Sequence, residues 1–243
     1  MEIIKAKTAG FCFGVDRAVT LTYDLVNQGR KVATLGPLIH NPIVVEELAE
    51  QGVGLSQSLD EIGRGSVIIR SHGVVPQVIE DARARGLSVV DATCPYVKKV
   101  HKAASNLVHE GYDLIIVGES GHPEVEGIVG HAEGKAHVVA SPQDLDGLTL
   151  GKRVGVVVQT TQTAANLSAV VAALAPLVSE LRVVNTICAA TSERQRAAAS
   201  LASEADIMIV VGGKNSGNTR RLAQICHAAC PKTHHIEDAA ELD

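Results

Sequence analysis

Tryptophan is absent, and the 243 residues include only two phenylalanines and three tyrosines. With aromatics at 2%, Val, Ala, Ile and Leu must build the core. A basic surplus is also missing: the formal net charge is −5, which argues against a nucleic-acid partner. No apolar run approaches the roughly 18 residues a membrane helix requires. The opening stretch "MEIIKAKTAGFCFG" lacks the long apolar segment of a secretory leader. A cytoplasmic protein with no membrane partner is expected. Five cysteines in that setting do not read as a disulfide framework. Walker and Rossmann glycine signatures are absent, which disfavours a nucleotide. The short C-x-x-C pairs of structural zinc modules are absent as well.

The chain is 46% apolar and 20% charged, the balance of a globular protein. Its cysteines are placed unusually. In "VVDATCPYVKKVH" an apolar pair leads through a polar turn to Cys94, and a helical pattern follows. "VVNTICAATSERQ" repeats the arrangement around Cys188, and "KTAGFCFGVDRAV" sets Cys12 just ahead of a helix.

Counting forward from these cysteines exposes a threefold repeat. A step of 28 leads from Cys12 to His40, from Cys94 to His122 and from Cys188 to Ser216. Each of these polar residues has a glycine four positions before it, Gly36, Gly118 and Gly212. One unit therefore reads as strand, cysteine, helix, strand, polar loop, helix. The first two units add a further strand and polar loop, presenting His72 in "SVIIRSHGV" and Gln159 with Thr160 in "RVGVVVQTTQT". In the third unit the matching loop would fall near position 248, so that unit is expected to be incomplete. Strands alternating with helices predict an α/β fold of three similar small parallel-sheet units around a pseudo-threefold axis. Their ranges are 13–94, 95–187, and 1–12 with 188–243. Ligands in such units collect at the carboxyl ends of strands, so the three thiols are expected to meet at one central site.

Three thiolates at helix N-termini suit an iron–sulfur cluster with one open iron, or a zinc ion with one open position. The wide spacing favours the cluster. The helix dipole is expected to lower the thiol pKa values. Cys226 and Cys230 lie outside the repeat and read as packed helix residues. His40, His72 and His122, joined by Ser216 and Asn218, form a candidate ring of imidazolium, hydroxyl and amide donors for a phosphate or diphosphate. Glu124, two residues beyond His122, is a candidate proton donor, and it also suits the first turn of a helix. Thr160 could bond a substrate hydroxyl. The other histidines, His101 and His131 among them, read as surface or helix-face residues. Besides an enzyme, a non-enzymatic iron–sulfur sensor or diphosphate-binding protein and a zinc hydrolase stay open on these residues.

The stretches "GFCFGVDRAV", "IHNPIVV", "SHGV", "DATCPYVKKVH", "GHPEVEG", "QTT", "TICAATSERQ" and "GGKNSGNTRRL" resemble the 4-hydroxy-3-methylbut-2-enyl diphosphate reductase family of the non-mevalonate isoprenoid pathway. The resemblance implies a 4Fe–4S cluster on Cys12, Cys94 and Cys188. It implies a diphosphate held by His40, His72, His122, Ser216, Gly217 and Asn218, with Glu124 and Thr160 catalytic. It implies reductive loss of the allylic hydroxyl, giving isopentenyl and dimethylallyl diphosphate, with a ferredoxin or flavodoxin as electron donor. Two departures stand out. The family often has a second serine where this chain has Gly217. It also continues into a "TAGAS"-type loop that this sequence does not contain.

Overall fold

Among the described residues every strand is parallel to its neighbours, and the strands fall into three separate sheets. The computed structural model describes residues 2–242. Helix α1 (Phe13–Asn27) leads into β1 (Val32–Leu35), α2 (Pro42–Glu50), β2 (Gly54–Ser56), β3 (Ser66–Ile69), α3 (Pro76–Ala84) and β4 (Ser88–Asp91). The second sheet collects β5 (Asp113–Val117), β6 (Ala136–Val139), β7 (Arg153–Val158) and β8 (Glu180–Val183), with α4 (Pro95–His109), α5 (Pro123–His131) and α6 (Ala164–Leu174) between them. The third segment runs α7 (Ala189–Ala202), β9 (Met208–Val211), α8 (Gly217–Ala229) and β10 (Thr233–Ile236).

The strand orders show the repeat directly. The first sheet is β2-β1-β3-β4 and the second β6-β5-β7-β8, the same order with the numbering advanced by four. The third, β10-β9, matches the β2-β1 and β6-β5 pairs. The three glycines marked by the sequence repeat make the same hydrogen bond. Gly36, Gly118 and Gly212 donate their N–H to the carbonyls of Ser56, Val139 and Ile236, the final residues of β2, β6 and β10. Each thereby turns the chain out of its strand at the same height, which sets the polar loops at matching positions. One part of the expected unit is not formed: Cys12 is preceded by irregular chain rather than a strand. Cys94 and Cys188 do follow β4 and β8.

The inner strands read as near-continuous apolar runs because helices cover both faces. From Val154 to Val158 β7 is fully buried, and so is β5 from Leu114 to Val117. At Gly155 an added Cβ would lie 2.9 Å from Leu107 of α4, so the missing side chain lets that helix rest directly on the sheet. Proline at the first turn starts α2, α3, α4 and α5, where a missing N–H costs nothing. Among the described residues no helix is long and apolar enough to cross a membrane.

Helix α5, which carries Glu124, packs across the loop that carries His72. The contact is close at Gly130, where an added Cβ would come within 2.3 Å of Val75 Cγ1 and 3.1 Å of its Cα. Because backbone is involved, rotamer changes cannot relieve it. Gly130→Ala is expected to destabilise the fold by about 1–3 kcal/mol, the usual cost of overpacking. A lowered denaturant midpoint checks this; an unchanged or raised midpoint would refute the close packing.

Candidate active site

The cysteines are brought together by backbone as well as by sheet topology. Cys94 N–H donates to Ser71 O at 2.9 Å, next to His72, and Cys188 N–H donates to Thr160 O at 3.1 Å. Thus Cys94 and Cys188 are tied to the second polar loops of the first and second units respectively. Cys12, Cys94 and Cys188 are the N-cap residues of α1, α4 and α7, and none makes a side-chain capping bond. All three are free thiols and partly exposed. Gly14 sits between two of them: a Cβ there would lie 2.5 Å from Cys94 Sγ and 3.9 Å from Cys12 Sγ. Among the described residues no group of three His, Cys, Asp or Glu side chains is assembled as a single-ion site.

The expectation of a lowered thiol pKa is corrected at Cys94. Burial pushes this thiol up, and the neighbouring Cys12 and Cys188 add to the rise. The N–H groups of Tyr96 and Val97 at the start of α4 pull the other way without offsetting it. Desolvation therefore outweighs the helix end. A cation is what such a group lacks. The donor set of three converging free thiols, with Gly14 leaving open the space between them, fits a cluster held by three cysteines. Cys226 and Cys230 are buried elsewhere, packed with Ala198, Ala202, Met208 and Val210, as their spacing implied.

Facing this centre is the expected ring. The centroids of His40 and His72 are 4.2 Å apart, those of His40 and His122 are 5.2 Å apart, and those of His72 and His122 are 5.6 Å apart. Both nitrogens of His40 and Nδ1 of His72 are buried without a partner. His122 Nδ1 accepts from Glu124 N–H at 3.1 Å, which leaves its proton on Nε2. The third unit closes the ring. Gly213 lies so close that a Cβ would meet His40 O at 2.4 Å. Asn218 Oδ1 is another buried atom with no partner. Ser216 caps α8 by accepting from Thr219 N–H at 3.3 Å. Gly217 is buried, and a Cβ there would meet Thr161 Oγ1 and Arg221 Nη1 at 3.3 Å, so the smaller residue makes room for Arg221.

Two further residues belong here, Gln159 and Thr161. Gln159 Oε1 accepts from Glu119 N–H at 3.1 Å, and its Nε2 has no partner. Thr161 Oγ1 is likewise buried and unpaired. The sequence displayed them beside Thr160, but only the fold shows which of three adjacent side chains point at the ring. Buried polar atoms without partners are rare in native proteins, and their concentration here marks a place built for a ligand.

Glu124 is 2% exposed. Thr160 donates to it twice, from N–H to Oε1 at 2.6 Å and from Oγ1 to Oε2 at 2.8 Å. Burial raises its pKa above the ordinary 4.5, and the two hydrogen bonds with the more distant Arg221 offset only part of that. The carboxyl is thereby biased toward holding a proton. Glu126, exposed on the same helix, is the plain helix acid.

The expectation of imidazolium donors is also corrected. Burial is the main cause lowering the pKa of all three ring histidines, that of His122 to about 4 and that of His72 well below 6.5. They are neutral near pH 7. His101 and His131 lie on α4 and α5, helix residues as expected, and they carry contacts there. His101 is buried, and the two rings stack at 4.0 Å beneath Gly73 and Gly127, so they form part of the support of the His72 loop and α5.

Because the folded-state pKa values are depressed, the unfolded chain binds more protons, and stability is expected to fall as pH drops below 6.5. A bound polyanion reverses the bias and favours protonated imidazole. Diphosphate binding near pH 7 is therefore expected to take up protons. Calorimetry in two buffers of different ionisation enthalpy measures the uptake, and identical heats would refute it.

Relatives of known name match along the whole of this chain. The family profile described as "LytB protein" matches residues 3–243. A 4-hydroxy-3-methylbut-2-enyl diphosphate reductase of Geobacter sulfurreducens is 51% identical over 243 residues, covering 100% of this chain and 86% of the relative. That of Trichlorobacter lovleyi is 49% identical, with 100% and 87% covered. Among solved structures, (E)-4-hydroxy-3-methyl-but-2-enyl diphosphate reductase, described as the terminal enzyme of the non-mevalonate pathway, is 49% identical. It superposes with a TM-score of 0.76 over 99% of this chain and 87% of that one. The E-1-hydroxy-2-methyl-but-2-enyl-4-diphosphate reductase of Plasmodium falciparum is 29% identical, with a TM-score of 0.91 over 96% and 76%.

Proposed function

The chain belongs to the LytB family, and from that premise we propose that it reduces (E)-4-hydroxy-3-methylbut-2-enyl diphosphate to isopentenyl and dimethylallyl diphosphate. The observation that carries the reading is that three free cysteines lie beside polar loops with unpartnered side chains and a buried carboxyl. The division at 13–94, 95–187, and 1–12 with 188–243 is part of the same proposal, and the assignment of one sheet to each range supports it.

Cys12, Cys94 and Cys188 would hold a 4Fe–4S cluster. When bound, such a cluster supplies electrons singly and an open iron that acts as a Lewis acid. The residues of the chain do the rest. His40, His72, His122, Ser216, Asn218, Gln159 and Thr161 offer donors to the diphosphate, so the substrate's allylic end is directed away from the ring toward the cysteines. Gly217 contributes space and backbone rather than a hydroxyl. The reaction takes up two electrons and two protons; the C–O bond breaks and the oxygen leaves as water. Glu124 is the proton source at that oxygen. Thr160 fixes both carboxyl oxygens and, through its own hydroxyl, extends the hydrogen-bonded path to the substrate. The electrons come from a small carrier protein of the ferredoxin or flavodoxin kind.

Anaerobic turnover with a reduced dye tests the activity, and absence of substrate reduction by cluster-loaded protein would overturn it. Glu124→Gln preserves size and should slow turnover by roughly 10²-fold or more while sparing binding. The sign of the pH effect follows from the raised pKa. Protonated Glu124 is the active form, so the rate should fall as pH rises through a value above 4.5. That alkaline limb should vanish in the glutamine variant. Equal rates for the two proteins would leave Glu124 a helix acid only.

The ligand assignment has its own check. Serine replacements at Cys12, Cys94 and Cys188 should each remove or degrade visible cluster absorption. Cys226→Ser and Cys230→Ser should keep it. Retention in Cys94→Ser together with loss in Cys226→Ser would reverse the assignment.

A further inference from the structure

Imidazoles that are neutral before binding balance a diphosphate's charge only as far as they take up protons. The guanidinium groups around the ring therefore matter, and they are not equivalent. Arg220 and Arg221, on α8, both close on the Glu119 carboxylate, at 2.5 and 2.9 Å. Arg221 is buried and also donates to Gly217 O at 3.2 Å. With one carboxylate between them these two leave a single net charge, directed largely at Glu119. Arg70 is different. Among the described residues it makes no ion pair.

Arg70 also lies in the right place. It sits at the end of β3, two residues before His72, and Gly73 N–H donates to its carbonyl at 3.0 Å. Its Nε donates to Gly73 O at 3.4 Å. Its Nη1 lies against Gly36, four residues before His40: an added Cβ there would be 2.9 Å from it. Gly36 and Gly73 both have left-handed φ, +71° and +77°, which a side chain would strain. The guanidinium is thus wedged between the two turns that carry His40 and His72. Its charge reaches both rings and disfavours their protonation. A guanidinium stays charged at any pH the protein meets.

We propose that Arg70 is the fixed positive charge of the diphosphate pocket, set one layer behind the imidazoles of His40 and His72 and offsetting the ligand's charge through them. It is a positioning and charge-bearing residue that does not touch the reacting atoms. The inference rests on the diphosphate reading above and adds the source of its charge.

The test uses cluster-loaded full chain and inorganic diphosphate, followed by calorimetry at pH 8, where the histidines take up protons least. Arg70→Gln should weaken binding by roughly tenfold, the scale of one unit charge acting through an intervening layer at intermediate dielectric. Arg70→Lys, which keeps the charge and loses the fork, should stay within a few-fold of the unaltered protein. Equal affinity for Arg70→Gln and the unaltered chain would overturn the proposal. So would Arg70→Lys binding as weakly as Arg70→Gln, because the role would then be geometry alone. A second measurement needs no variant. At pH 8 the unaltered protein should bind less tightly as salt rises, since a fixed charge is screened. Salt-independent binding there would also overturn it. Failure of the unaltered chain to bind diphosphate at all would sink the diphosphate reading and this inference with it.

Discussion

Desolvation of polar groups at the carboxyl ends of the strands is the constraint on which the rest of this structure depends. Three parallel-sheet units direct their loops to one centre, and the side chains carried there leave water. The cost is visible in several groups at once. The Cys94 thiol is pushed up, the ring histidines are pushed toward neutrality, and Glu124 is pushed toward its protonated form. Each shift has burial as its first cause; opposite charge arriving at the thiols or the imidazoles would oppose theirs, whereas an anion arriving near Glu124 would add to its rise. On the proposed function, these shifts suit a cation arriving beside the cysteines and an anion arriving at the histidines.

The same constraint explains the small residues around it. Gly14 leaves open the space between Cys12 and Cys94, Gly213 lets the third unit reach His40, and Gly217 admits Arg221. A methyl group at any of these would separate elements that have to approach within van der Waals distance. Glycine in this chain thus marks closeness as much as turning. Outside the centre, long apolar strands and helix-start prolines carry the fold with few polar compromises.

Ion pairing across the units follows from the geometry of the loops. Glu119, on the loop after β5, meets two arginines from α8, which ties the second unit to the third beside the ring. This leaves Arg70 without an acid partner among the described residues, although it lies as close to the histidines as its position before His72 requires. The two solved relatives superpose in the inverse order of their identity, 0.76 at 49% and 0.91 at 29%. Agreement of overall shape is thus not set by sequence similarity alone.

By itself the sequence determined the repeat and the parallel-sheet class, and it singled out Cys12, Cys94, Cys188, His40, His72, His122, Glu124 and Ser216 as candidates. These were legible because a cysteine at a strand-to-helix junction, or a polar residue four after a glycine, is a local pattern that recurs at fixed spacing. Cys226 and Cys230 were legible as packing residues for the same local reason. Only the tertiary structure decided the states and partners of the site groups. The thiol of Cys94 rises, the ring histidines are neutral, and the residues before Cys12 form no strand, because burial and strand pairing depend on neighbours far along the chain. His101 under His72, Thr161 at the ring, Glu119 against Arg220 and Arg221, and Arg70 between Gly36 and Gly73 were hidden likewise. Each depends on segments brought together only by folding, and charge balance in a desolvated centre is a property of that assembly rather than of any one segment.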